Sequence, residues 1–244
     1  MPLGACVRKT SMSLRIATQD GEVWLAALIN APFFRVSMHE AFYELLRPPE
    51  TKEMNAMAEF VAGHPDFLSF GTRAKSTDWT ASYAQELYSS LDAWTFVDGS
   101  GVEQAGRRLL LPEAQVERIK PEELGKRGDD FLEREITERV AAAAQRWKLI
   151  PTLADPGDQA ADPSRALPAG RRTIDASTLI VQRIEAKADA SYQDIKFEPT
   201  ILPRGIHVSD DPFPAARLAA YAKSFDFSTL QAQDCPDRAT DAQR

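Results

Sequence analysis

The chain has 244 residues, 43% of them hydrophobic and 27% charged, with a formal net charge of −7; that is enough for one large domain or two small ones with a sizeable core. The acidic balance offers no basic face for phosphate and excludes a general nucleic-acid role, while no apolar run approaches the roughly 18 residues of a membrane span. Two cysteines at opposite ends, Cys6 and Cys235, give neither a metal spacing nor a disulfide framework, and three histidines, His39, His64 and His207, are too few for a histidine-rich metal site.

In chain order, "SMSLRIATQDGEVWLAALINAPFF" predicts two strands around an Asp20-Gly21 turn. Leu14, Ile16, Val23, Leu25 and Ala27 fall at period two, and Pro32 ends the second strand. "SMHEAFYELLRPP" predicts a short helix with Ser37 as N-cap and Glu40 three residues on. A second helix is expected over about 50–63, with Met54, Met57, Phe60 and Val61 on one face. "SSLDAWTFVDGSGVEQAGRRLLLPE" predicts a hairpin turning at Asp98-Gly99. The clearest helix is expected over about 130–147, with Asp130 and Glu133 as a capping box and Leu132, Ile136, Val140, Ala144 and Trp147 as one stripe. "KLIPTLA" follows as a strand, residues 155–173 as a long surface loop, and "TIDASTLIVQRIEA" as the longest strand candidate. The segment 189–214 reads as irregular and leads into a helix, "AARLAAYAKSF", with Arg217 and Tyr221 four positions apart. Residues 230–244 read as a polar, disordered tail. Roughly six strands, mostly hairpin-joined, with helices between and after them, predict an α+β fold built on an antiparallel sheet or barrel.

Several of these stretches resemble the haem catalases, and in particular the small catalase-related peroxidases. "LINAPFF" is similar to their Asn-x-Pro-x-Phe motif, and "SSLDAWTFVDGSG" to their aromatic-rich hairpin. "IKFEPTILPRGIHVSDDPFPAARLAAYAKSF" resembles their C-terminal haem segment through Phe-x-Pro, Leu-Pro-x-Gly-Ile, Ser-Asp-Asp-Pro and Arg-x-x-x-Tyr. The resemblance runs over residues 10–225 and implies a catalase-like antiparallel β-barrel with associated helices, occupying residues 1–229.

It also implies a site. Positions i and i+4 of a helix share one face. The resemblance makes Tyr221 the proximal ligand of haem iron, with Arg217 holding its phenol deprotonated. Phe34 would pack toward the haem face, where an ordinary core role stands equally open. Asn30 aligns with the distal asparagine of the small peroxidases, although Ile29 stands where the larger catalases place theirs. The family's distal histidine lies on the first barrel strand. The match here begins at what resembles the third strand, so none of the three histidines corresponds to it.

The function these readings predict is reduction of hydrogen peroxide or organic peroxides with a small-molecule electron donor. The alternative is a haem-binding remnant, or a fragment, with little or no turnover for want of the distal histidine. The compartment expected from the sequence as written is cytoplasmic, with the periplasm as alternative if an extension precedes Met1.

Overall fold

The computed structural model describes residues 10–46, 55–76, 79–120, 123, 126–128, 130–185, 195, 198–218 and 220. Its first elements are β1 (Ser11–Ala17) and β2 (Val23–Ile29), an antiparallel pair in the register Leu14 opposite Ala26. Gly21 makes the connecting turn possible, because φ there is +88°, a conformation that side chains with a Cβ rarely adopt. On β1 the alternation is clean: Met12 and Leu14 pack on the core while Ser13 and Arg15 are exposed.

Three helices follow: α1 (His39–Leu46), α2 (Ala56–Gly63) and α3 (Asp66–Ser76). They gather a second core of Val36, Ala41, Leu45 and Phe60, joined by Phe34, Phe42 and Phe67. Helix α1 starts two residues after Ser37, which is not its cap; the Ser37 backbone N–H instead donates to Asp66 Oδ2 at 2.9 Å. Residues 47–54, and with them Met54 and the predicted start of the second helix, lie outside the described residues.

Next come β3 (Trp79–Thr80), β4 (Tyr88–Ser89), β5 (Trp94–Val97), β6 (Glu103–Pro112) and β7 (Arg118–Ile119). Helix α4 (Phe131–Ala142) leads to β8 (Gln145–Leu153), then β9 (Ser177–Val181) and β10 (Ile206–Val208). Residues 212–218 form a last helix, α5.

Among the described residues the main sheet holds eight strands, all paired antiparallel, and β6 is its hub. One edge of β6 carries β4 and β5, and the other carries β8, which pairs onward with β9. Beyond β4 lie β2 and β1; beyond β5 lies β10. The core under this sheet is Ala26, Leu28, Tyr88, Leu110 and Trp147, with Ile136 of α4 packed against it.

The predicted helix over 130–147 ends early. Ala143 is extended (φ −161°, ψ 146°), and the chain turns straight into β8. Trp147 is therefore a strand residue opposite Pro112, not the last member of a helical stripe, and its Nε1 donates to Glu86 O at 3.1 Å. A buried indole with its N–H satisfied and a full ladder to β6 outweighs helix propensity in the alanine run. Asp130 makes no side-chain cap either; it pairs with Arg134 at 3.1 Å. In the β5–β6 turn the left-handed residue is Gly101 (φ +84°), and Asp98 accepts the N–H groups of Ser100 and Val102.

The loop 155–173 is irregular but pinned. Buried Arg107 on β6 donates to the carbonyls of Ala160, Asp162 and Arg165, and Arg171 grips Asp158 through both carboxylate oxygens. That grip holds the Asp158 carboxyl down at about 2.

Candidate functional site

The site begins with a defect in the sheet. Ser89 pairs with Leu109 and Trp94 with Gly106, so four residues, 90–93, lie opposite only Arg107 and Arg108. Such an insertion kinks a strand and re-aims its side chains. Ser90 stabilises the kink: its hydroxyl accepts the Arg108 N–H at 2.9 Å and donates to Asp92 O at 3.1 Å. The result turns Asp92 inward, 3% exposed.

The C-terminal segment docks on this kink. The β10 ladder ends with Val208 opposite Trp94. Side chains then continue it: Ser209 Oγ donates to Ala93 O at 2.7 Å, and Asp211 Oδ2 accepts Ala93 N–H at 3.0 Å. The other Asp211 oxygen accepts Phe213 N–H at 2.9 Å. Asp211 is thus the N-cap of α5, with Pro212 at the first helical position, where its missing N–H is harmless. The Ser-x-Asp-Pro run has a physical purpose: it fixes where the helix carrying Arg217 begins.

From that helix Arg217 reaches Asp92, with Nη1 donating to Oδ2 at 2.9 Å, one-fifth and 4% of the two side chains being exposed. Arg108 lies beside them, 2% exposed, between the rings of Trp24 at 4.5 Å and Trp94 at 4.7 Å. The faces of two indoles attract the cation. Burial still pushes the Arg108 guanidinium down to about 9, against the opposing pull of Asp92. Its Nε and Nη1, and Oδ1 of Asp92, have no hydrogen-bond partner among the described residues. Burial, then the neighbouring Asp92 charge, raises the Asp211 carboxyl to about 6. A small cleft lies over this cluster. Leu25, Ala26, Ala27, Pro199 and Trp94 form its apolar wall, and Asp92, Arg108 and Arg217 supply its charges.

Of the residues singled out by sequence, Arg217 is central to this cluster. Tyr221 lies outside the described residues. Phe34 packs on Phe213 of α5 and on Phe42 of α1, each at 5.0 Å, so it braces the Arg217 helix against the helical layer. Asn30 sits at the end of β2, where its Oδ1 accepts the Thr10 N–H at 3.1 Å. The histidines each face a glutamate: His39 with Glu40, His64 with Glu44 at 2.9 Å, and His207 with Glu103. Sequence reasoning missed Asp92 and Arg108, and it quoted Asp211 within Ser-Asp-Asp-Pro without giving it a role. The available signals were an Asp inside the apolar run "LDAWTF" and two arginines opening "RRLLL". No group of His, Cys, Asp or Glu among the described residues is arranged to hold a metal ion, and no described helix is long and apolar enough to cross a membrane.

No family model matches the chain. It is 28% identical over 208 residues to a catalase-related peroxidase of Synechococcus elongatus, covering 82% of this chain and 60% of that protein. It is 25% identical over 222 residues to a catalase-related peroxidase of Mycolicibacterium paratuberculosis, covering 89% of this chain and 70% of the relative. Among solved structures, a fungal catalase superposes with a TM-score of 0.75 at 15% identity, over 91% of this chain and 48% of that one. Catalase A of Saccharomyces cerevisiae superposes with a TM-score of 0.76 at 15% identity, over 90% of this chain and 49% of the catalase. The chain therefore spans about half the length of the catalases whose fold it shares. The fold is that of the catalases, and the sequence is similar to two catalase-related peroxidases.

Proposed function

We propose that the chain is a haem-dependent, catalase-related peroxidase that reduces hydrogen peroxide or organic peroxides with a small-molecule electron donor. The observation that carries the reading is Arg217. It is a guanidinium fixed by Asp92 at 2.9 Å and placed one helical turn ahead of Tyr221 in the sequence.

The chemistry of this donor set fits haem. A tyrosine ligand must be a phenolate, whose ordinary pKa is near 10, and a cation held one turn away favours that anion. Arginine is suited to the task because it stays charged when largely buried. Tyr221 would hold the iron and Arg217 would keep its phenol deprotonated. Leu25, Ala26 and Ala27 give the cleft beside Arg217 an apolar edge. Haem, when bound, supplies the redox chemistry on peroxide. Asn30, oriented by Thr10, would present its amide N–H groups to a peroxide oxygen. Phe34 would act through the helix it braces.

The test is the visible spectrum of the purified chain mixed with haemin, beside that of Tyr221→Phe. A Soret band with ferric–phenolate charge-transfer features that vanish in the variant is the expected result. Identical spectra would sink the assignment.

A second reading, haem binding with little turnover, is favoured by the placement of the histidines. Each already has a partner: His64 and His207 face Glu44 and Glu103, and His39 faces Glu40 and packs edge-on against Phe213 of α5. Loss of a positioned acid/base group lowers rates by about 10²–10⁴-fold. Peroxide turnover by the haemin-loaded chain, compared with an intact relative, separates the two readings.

A further inference from the structure

We propose that the outer edge of β9 is a self-pairing surface, at which a second copy of this chain adds its own β9, antiparallel, about a two-fold axis centred on Leu179. The proposal uses none of the residues of the Arg217 cleft and does not depend on haem.

Among the described residues the strand partner of β9 is β8 alone. The backbone already follows β8 at Ile174, where the N–H groups of Ile174 and Ala176 donate to Pro151 O and Leu149 O at 3.0 Å each. The other side of an edge strand presents a row of N–H and C=O groups, which folded proteins guard with charge, proline or a covering element. Ser177–Val181 contains no charge and no proline. Ile174, Ile180 and Ile184 are instead exposed along it, by 39%, 39% and 45%. The two ends of the main strand path differ: β1 carries Arg15, and β10 has only three residues.

The sequence around β9 decides what pairs there. A copy related by a two-fold axis pairs antiparallel, and the core faces of both sheets stay on one side only where a residue meets itself across the axis. With Leu179 at that point, "IDASTLIVQRI" is its own complement. Asp175 stands opposite Arg183 of the second copy, Ile174 opposite Ile184, and Thr178 opposite Ile180, and the symmetry makes each contact twice. With Ile180 at the axis, Asp175 faces Glu185, a like charge; with Thr178 there, Asp175 faces Val181 and Arg183 faces Thr173. Opposed unlike charges and apolar pairs stabilise a sheet, whereas like charges destabilise it. The edge of β1 has no such register, because Ser11–Ala17 holds Arg15 and no acidic residue to face it.

Both charges lie where a second copy can reach them. Asp175 and Arg183 are exposed, and their pairings within one chain, to Lys148 at 3.1 Å and to Glu185, are surface contacts. Strand addition at a sheet edge draws affinity from main-chain hydrogen bonds and choice of partner from the side chains. Here the side chains select the same strand reversed. A ladder of this length buries less than a standard interface, so the association is weak and depends on concentration.

The test is sedimentation equilibrium of the full 244-residue chain over a concentration series. It compares wild type, Asp175→Arg, Arg183→Asp, an equimolar mixture of those two variants, and Ile180→Lys. All three positions are exposed, and circular dichroism verifies that each variant keeps its fold. Wild type is expected to dimerise. Each charge reversal alone sets like charges against each other twice per dimer and should weaken self-association by about tenfold or more. The mixture should return to within about threefold of wild type, because the two reversed side chains then face each other and the two unreversed ones do the same. Ile180→Lys puts a charge on the open edge and should leave the chain monomeric. A wild type that stays monomeric throughout the series overturns the proposal. So does a dimer that the reversals leave unchanged, or a loss that the mixture fails to rescue, since either places the contact on another surface. Should a reversal fail to fold, Ile180→Lys decides alone: dimerisation equal to wild type overturns the proposal.

Discussion

Asp211 holds two backbone N–H groups with one carboxylate, yet its carboxyl is raised to about 6. Burial and the charge of Asp92 outweigh the two hydrogen bonds and the attraction of Arg107. The sign of the linkage follows from this. With the folded value above the ordinary 3.8, the folded chain binds the proton more tightly than the unfolded one. The stability this group contributes is present below about pH 4 and is lost as pH rises through about 6. The displacement corresponds to about 3 kcal/mol at about 1.4 kcal/mol per pH unit. Other carboxylates, such as Asp158, act in the opposite sense at lower pH, so the difference between two proteins is the clean measure. Urea unfolding of wild type and Asp211→Asn between pH 4 and pH 7 should show the variant gaining relative to wild type by roughly that amount. An amide has one acceptor where the carboxylate has two, which subtracts a constant at every pH. A difference that stays flat across the window would show that Asp211 is not the group that titrates there.

At the scale of elements, β6 and β8 leave no room for a side chain at Gly106. A Cβ there would sit 2.6 Å from Thr152 O and 3.2 Å from the Phe96 ring. Backbone cannot yield as a flexible side chain does, so Gly106→Ala should lower stability by about 1–3 kcal/mol, read as a fall in the thermal midpoint; an unchanged midpoint would mean that the two strands slide apart freely. This glycine lies in a stretch whose strand character was plain in the sequence, as were the β1–β2 hairpin and helix α4. Those elements carry their own periodicity and turn residues over seven or more positions. Helix α3 was not legible, because Asp66–Ser76 mixes Gly71, Thr72 and Ser76 with few apolar positions and owes its form to the packing of Phe70 on Phe33 and of Phe67 on Phe60. The two-residue strands β3, β4 and β7 are defined only by distant partners. The same limit hid half of the site. Arg217 stood out through its spacing to Tyr221, but its partner Asp92 is 125 residues away, and no local pattern connects the two.

Across the whole molecule, the segment 198–218 closes the structure. Leu25 N–H donates to Ile201 O at 3.1 Å, Arg204 bridges Asp20 and Glu22 at the first hairpin, and β10 and α5 dock on the central one. Both hairpins therefore depend on it. Unfolding of the full chain followed by tryptophan fluorescence and by far-ultraviolet circular dichroism should give coincident curves, since three of the four tryptophans, Trp24, Trp94 and Trp147, report from the same linked sheet. A chain cut before residue 198 should lose that cooperativity. Two separated transitions in the full chain would instead mean that the helical layer and the sheet are independent.

The strand kink at residues 90–93 also has a history within each molecule's synthesis. It emerges from the ribosome long before β10 and α5, with about a hundred residues still to be added, a delay of roughly 5–20 s. For that interval the edge of β5 and the carboxylate of Asp92 await the partners that will cover them. A nascent chain of this protein thus carries an open strand edge beside a carboxylate whose hydrogen-bond partner is still to be made. That carboxylate, set in an apolar neighbourhood, guards the edge against pairing with the wrong strand until Arg217 arrives to bind it.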